Sequence, residues 1–106
     1  MFDAYDVSLE LARSLRPHLR RLRSCDASLT NLLTRALSSV PLNLSEGRRR
    51  VGKDRTHLFR IADGSVAEVK ACLDMAEALG YLPLEDAAAS LALIDRMQAR
   101  CCRLTH

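Results

Sequence analysis

The sequence predicts an all-α protein, an antiparallel up-down-up-down bundle of four helices that forms a single domain over residues 1–106. Apolar residues recur three and four positions apart along four segments, which is the spacing of a buried helix face. The aromatic residues are only two phenylalanines and two tyrosines, so the core must be built mainly from Leu, Ala and Val. Connecting segments of roughly three to six residues require neighbouring helices to run antiparallel.

Helix one is predicted from about Tyr5 to Arg23. Pro17 falls inside it and removes a backbone bond to the Arg13 carbonyl, so we expect a kink near residues 13–17 or a break into two helices. The connector is predicted at residues 24–26, with Asp26 as the N-cap of the next helix. The buried face is predicted to comprise Val7, Leu11, Leu15, Leu19 and Leu22.

Helix two contains Pro41, which frees the Leu37 carbonyl. The Asn43 side chain is predicted to donate to carbonyls of this loosened turn or to a neighbouring helix, the alternative being that it faces water. Gly47 is predicted to end the helix as its C′ residue. The apolar face is predicted to comprise Leu29, Leu32, Leu33, Ala36, Leu37, Val40 and Leu44.

Helix three, from about Gly52, carries two apolar stripes and must be covered on two sides. The first stripe is Phe59, Ala62, Val66, Val69, Leu73 and Ala76, and the second is Leu58, Ile61, Ser65, Cys72, Met75 and Leu79. Gly64 in mid-helix costs about 1 kcal/mol relative to alanine, so we expect a close helix–helix approach beside Ser65. Gly80 is predicted to end this helix, and helix four is predicted to start near Leu84.

No catalytic, metal or cofactor site is predicted. Residues 47–54 satisfy seven of the eight positions of the phosphate-binding P-loop, but Asp54 replaces the required Ser or Thr and no strand precedes them. The four cysteines form no C-x-x-C pair, and the three histidines have no partner at metal-ligand spacing. Because no apolar run is as long as a membrane span and no signal segment is visible, we expect a soluble cytoplasmic protein with reduced thiols and no membrane partner.

Positive charge is concentrated in the first part of the chain. Residues 1–60 hold twelve Lys or Arg against six Asp or Glu, whereas residues 61–106 hold four against seven. This asymmetry indicates an anionic partner for the first part, although each arginine taken alone is more commonly solvated surface charge. The predicted nucleic-acid-binding residues are Arg20, Arg21, Arg23, Arg48, Arg49, Arg50, Lys53 and Arg55. No aromatic residue is interleaved with them, so binding is expected to tolerate many sequences.

Three separated motifs resemble a bacterial family of four-helix-bundle proteins. The family was first noticed as open reading frames in intervening sequences of 23S rRNA genes, and it includes Avd, the accessory protein of diversity-generating retroelements. Its pattern S-[IV]-P-x-N-[IL]-[AS]-E-G matches residues 39–47, I-A-x-G-S-x-x-E matches residues 61–68, and L-G-Y matches residues 79–81. Pro17 lies outside the pattern. The loop at residues 48–54 varies in the family, so its arginines are assigned from charge alone.

The resemblance implies a homopentamer around a central channel, no established catalytic activity, and interaction with RNA or DNA or with a nucleic-acid enzyme such as a reverse transcriptase. We interpret the motif residues as structural, shaping the end of helix two and a subunit contact: Pro41, Asn43, Glu46, Gly47, Gly64 and Ser65. One alternative is a protein-interaction scaffold whose arginines maintain solubility or meet an acidic partner. A lesser alternative is a ribonuclease like the HEPN domains, since Arg13–His18 and Arg100–His106 fit the R-x(4-6)-H spacing.

Overall fold

The computed structural model describes residues 2–106, and it confirms the predicted all-α architecture. The helices are α1 (Asp3–Cys25), α2 (Ala27–Arg48), α3 (Gly52–Ala78) and α4 (Ala88–Thr105), the last preceded by a 3₁₀ turn at Leu84–Ala87. Each helix packs against its two neighbours in the sequence α1–α2–α3–α4–α1. The bundle is elongated, with principal extents of 43 × 23 × 20 Å.

The core follows the predicted periodicity closely. All six residues of the first α3 stripe are buried, as are Leu11, Leu15 and Leu44 from α1 and α2. The second α3 stripe is different, because Ile61, Met75 and Leu79 remain 39%, 49% and 52% exposed. Leu32 of α2, predicted on the apolar face, is likewise 48% exposed. A single bundle therefore leaves one of the two predicted faces of α3 partly uncovered.

Helix α1 is continuous through Pro17, so the predicted break into two helices is wrong. Pro17 and Arg13 are both exposed. The Arg13 carbonyl, which loses its helical hydrogen bond because proline has no N–H, therefore lies on the side of α1 that faces solvent. The connector to α2 is a single residue, Asp26, because α1 extends to Cys25. Asp26 is the N-cap as predicted, with Oδ1 accepting a hydrogen bond from the Leu29 backbone N–H at 2.9 Å.

Gly47 does not end α2, contrary to the prediction. The helix continues to Arg48, and Gly47 is buried within its last turn with no positive φ. A Cβ at this position would lie 2.8 Å from Cδ1 and Cε1 of Phe59 and 3.2 Å from Cβ of Leu58. Glycine is required because the Phe59 ring packs directly on the helix backbone, a packing requirement rather than a conformational one.

Gly64 also differs from its prediction, since it is exposed and no atom lies within 4 Å of a Cβ built there. No close helix approach within the bundle accounts for it. Gly80 does act as predicted: its φ is +77°, and the Tyr81 N–H bonds to the Ala76 carbonyl at 2.8 Å in a Schellman arrangement that closes α3. Within residues 2–106, no helix combines the length and apolar character of a membrane span.

Candidate functional site

The first two sequence motifs meet across the α2–α3 contact through a small hydrogen-bonded network. The Asn43 Nδ2 donates to the Ser39 carbonyl at 2.8 Å and to the Ser39 Oγ at 3.0 Å. The Ser65 hydroxyl on α3 donates to the same Ser39 Oγ at 2.7 Å. Asn43 therefore bonds within the turn that contains Pro41, as one of the predicted alternatives held, and Ser65 links that turn to α3.

The outer side of this network opens into a polar groove between α2 and α3. Its wall includes Arg35 and Glu68, and neither side chain forms an ion pair with any residue in the range 2–106. The exposed members of the second α3 stripe lie on the same side of α3 as the groove residue Ser65. We call this surface the α2–α3 face; its apolar members are Leu32, Ile61, Met75 and Leu79.

Two of the predicted nucleic-acid-binding arginines hold the α2–α3 corner together. Arg55 donates from Nε to the Gly47 carbonyl at 3.2 Å and from an Nη atom to the Arg48 carbonyl at 2.9 Å. These carbonyls lie in the last turn of α2, where Arg55 supplies a donor to the Arg48 carbonyl and a second donor to the Gly47 carbonyl, which also accepts from the Arg50 N–H at 3.0 Å. Arg50 pairs with Glu46 at 2.6 Å, which gives Glu46 a structural partner at the same corner.

The eight predicted cations do not share one surface. Arg48 lies over the ring of Phe2, which immediately precedes α1. Its loop is therefore at the end of the bundle where α1 begins, whereas Arg20, Arg21 and Arg23 are in the last turns of α1. A helix of this length separates the two groups by about 30 Å, far more than a Debye length at physiological salt.

The end that carries the α2–α3 loop is strongly cationic. We call it the loop end and define it as residues 2–6, 46–60 and 100–106. Four carboxylates lie there, at Asp3, Asp6, Glu46 and Asp54. The same end carries eight cations, namely Arg48, Arg49, Arg50, Lys53, Arg55, Arg60, Arg100 and Arg103. The last three are not among the predicted binding residues, because Arg60 lies beyond the basic run that ends at Arg55 and the other two belong to the acidic part of the chain.

The opposite end, residues 20–31 and 74–88, has the reverse balance. Its three cations are the predicted Arg20, Arg21 and Arg23, and they lie among five carboxylates contributed mainly by α3 and the 3₁₀ turn. Arg21 is 3.7 Å from Asp86, and Arg23 donates to the Asn31 Oδ1 at 2.9 Å. Folding therefore cancels the charge of this group.

Several loop-end cations have no ion-pair partner among residues 2–106. Arg100 pairs with Asp3 and Arg50 with Glu46, but no carboxylate pairs with the other six: Arg48, Arg49, Lys53, Arg55, Arg60 and Arg103. Lys53, His57 and Arg60 also line one shallow exposed cavity on the first turns of α3. The loop end thus presents several exposed positive charges on adjacent turns, the arrangement that binds a polyanion.

The cysteines are free thiols, and two of them are buried. Burial raises the pKa of Cys101 to about 11, with a smaller contribution from the negative charge of Asp63. Burial likewise raises the pKa of Cys72, helped by Glu68. Both thiols are therefore protonated at neutral pH and act as small core residues. Of the two Arg–His pairs considered for a ribonuclease, one has its arginine bonded to Asp3 and the other spans Pro17 within α1.

Residues 2–102 match the family model of the 23S rRNA-intervening sequence protein. The chain belongs to this family. The match confirms the resemblance carried by the three motifs and covers nearly the whole bundle. The 23S rRNA-intervening sequence proteins are not known as an enzyme family. A comparison with curated proteins found no match.

Proposed function

We propose that this 23S rRNA-intervening sequence protein is a non-enzymatic module that binds RNA or DNA phosphates through its loop end. The observation that carries the proposal is the excess of eight cations over four carboxylates on that end, six of the cations having no ion-pair partner in residues 2–106. The family description, which refers to an rRNA gene, supports nucleic acid over another polyanion. The opposite end is not part of the proposed surface, because carboxylates outnumber its arginines.

Binding of this kind depends on phosphate contacts and therefore on salt. Each phosphate contact contributes about 0.7–0.9 to the slope of log K against log salt, and little sequence preference is expected. Arg55 and Arg50 are poor probes of this surface, because replacing them also removes contacts that hold the α2–α3 corner. The exposed and unpaired Arg49, Lys53 and Arg60 are the better choice.

The test compares two triple variants that lose the same charge at different ends. Replacing Arg49, Lys53 and Arg60 with glutamine is expected to lower the salt slope by about 2–3, measured by anisotropy titration of a labelled RNA hairpin and a DNA duplex. Replacing Arg20, Arg21 and Arg23 with glutamine is the matched control and is expected to leave the slope nearly unchanged, since screening isolates the two ends. Equal effects of the two variants would refute the assignment to the loop end.

We propose further that the chain assembles into a homo-oligomer through the α2–α3 face, and the resemblance implies five copies. Leu32, Ile61, Met75 and Leu79 leave apolar surface exposed on this face, and fully burying one such side chain is worth about 1.5–3 kcal/mol. The unpaired Arg35 and Glu68 in the groove offer charges of both signs to a neighbouring copy. A ring multiplies the number of loop ends that one nucleic acid meets.

Light scattering coupled to gel filtration tests the assembly. The parent is expected to elute as a closed oligomer, and Met75→Glu is expected to dissociate it, because the carboxylate would be desolvated in the interface. Leu84→Glu is the matched control, since Leu84 is 57% exposed on the 3₁₀ turn outside the α2–α3 face. A monomeric parent at micromolar concentration would remove the proposal.

The alternative of a scaffold or accessory subunit of a nucleic-acid enzyme makes a different prediction for the same titration. Such a protein requires an apolar or acidic protein partner, and the parent would show no binding to the hairpin or the duplex even at low salt. That result would indicate that the cationic loop end binds a protein partner instead of nucleic acid.

A further inference from the structure

The fold brings an aromatic ring into the cationic loop end, which the sequence order conceals. Phe2 precedes α1 and is 46 positions before Arg48, yet the Arg48 guanidinium carbon lies 5.4 Å from the centroid of the Phe2 ring. This is within the range of a cation–π contact. On its core side the Phe2 ring packs against Phe59, with centroids 5.9 Å apart and planes at 45°. Phe2 is half-buried, so it remains partly accessible.

A cleft of about 210 Å³ opens beside this ring, between the start of α1 and the end of α4. Arg103 lines it and has no ion-pair partner among residues 2–106, while Arg100 on the same wall bonds to Asp3. The cleft therefore has an apolar interior and a cationic rim. Its lining residues are Phe2, Asp3, Ala4, Arg100, Arg103 and Leu104.

An apolar cleft with one aromatic wall and the unpaired Arg103 at its rim, and with Arg48 over the same aromatic ring, fits a nucleobase with its attached phosphates. A base stacks on aromatic rings and on guanidinium planes, and arginines bind the flanking phosphates. Duplex bases are stacked on one another and their faces are unavailable to the ring. The chemistry therefore favours an unpaired nucleotide, in a single strand, a loop or a frayed end.

We propose that the Phe2 cleft receives an unpaired nucleobase, with Arg48 and Arg103 bound to the adjacent phosphates, so that the protein prefers single-stranded to duplex nucleic acid. This rests on the proposed function of the loop end and adds a substrate class to it. Stacking is worth about 1–3 kcal/mol per base by alanine substitution, which corresponds to a roughly five- to 150-fold preference. The stacking contribution does not depend on salt, so it is separable from the phosphate contacts.

The main experiment titrates Phe2→Leu and the parent with three labelled probes: a single-stranded oligonucleotide, a duplex, and an abasic sugar-phosphate oligomer. The variant is expected to bind the single strand roughly five- to 150-fold more weakly, with an unchanged salt slope. Its affinity for the duplex and the abasic oligomer is expected to stay at the parent value. Tyr5→Leu is the matched control, because Tyr5 lies one turn further along α1 and outside the cleft.

A second variant avoids dependence on the stability of Phe2→Leu, whose leucine also changes the contact with Phe59. The chain contains no tryptophan, so Phe2→Trp introduces a single tryptophan into the cleft, and its emission can be excited apart from that of the two tyrosines. Its emission is expected to be quenched by the single strand and unchanged by the abasic oligomer.

The outcomes separate the cleft from the surface around it. The cleft proposal is overturned if the abasic oligomer binds the parent as tightly as the single strand, or if Phe2→Leu binds all probes like the parent. In that case the proposal that the loop end binds phosphates is still supported if the Arg49, Lys53 and Arg60 variant lowers the salt slope. If the parent binds none of the probes at low salt, the cleft and the loop-end function fall together.

Discussion

Gly47→Ala tests the most constrained contact in the bundle, the packing of the Phe59 ring on the α2 backbone. Alanine is favoured over glycine within a helix by about 1 kcal/mol, so without the ring this change would be stabilising. The new Cβ would lie 2.8 Å from two ring carbons of Phe59, which is 4% exposed and is held from another side by Phe2. Overpacking of this kind costs about 1–3 kcal/mol, so the net destabilisation is expected to be roughly 1 kcal/mol.

Thermal unfolding followed by circular dichroism measures the effect, and 1 kcal/mol corresponds to a fall in Tm of about 4–8 °C for a domain of this size. Gly64→Ala is the matched control, because it makes the same change within α3 where no atom lies within 4 Å of the new Cβ. It is expected to raise Tm. In a Phe59→Leu background the ring is absent, and Gly47→Ala is expected to become neutral or stabilising. If Gly47→Ala raises the Tm of the parent as Gly64→Ala does, the close contact with the ring is wrong.

Two further predictions concern the motif network and the buried thiols. Asn43→Leu removes both bonds to Ser39 and is expected to lower the free energy of unfolding by about 1 kcal/mol in urea titration, against little change for the exposed Ser38→Ala. An unchanged urea midpoint for Asn43→Leu would contradict a structural role. Because the folded state raises the pKa of Cys101 to about 11, it holds the thiol proton more tightly than the unfolded chain, so stability is expected to fall as pH rises from about 9 to 11. Cys101→Ala is expected to reduce this dependence but leave a remainder from Cys72 and from Tyr81, whose pKa is raised by desolvation and by Asp26. A pH profile identical to that of the parent would refute the assignment to Cys101.

The sequence determined the elements of this protein because helix periodicity and end signals are local properties. The 3.6-residue repeat identified the buried stripe of α3, from Phe59 to Ala76, without exception. Asp26 and Gly80 marked helix ends through interactions within a few residues of themselves, and both act as predicted. The three motifs also identified the family, since they depend only on residue types in order.

Tertiary structure decided what each special residue does and which charges lie together. Gly47 resembles a helix stop in sequence, but a ring from α3 sets its role, and sequence order does not show which side chain will pack on it. The charge asymmetry of the sequence groups all arginines of the first 60 residues. In the folded bundle, however, antiparallel packing places Arg20 and Arg48 at opposite ends. The same packing brings Phe2, Arg48 and Arg103 to one end from three distant segments, because the ends of an antiparallel bundle join residues far apart in the chain.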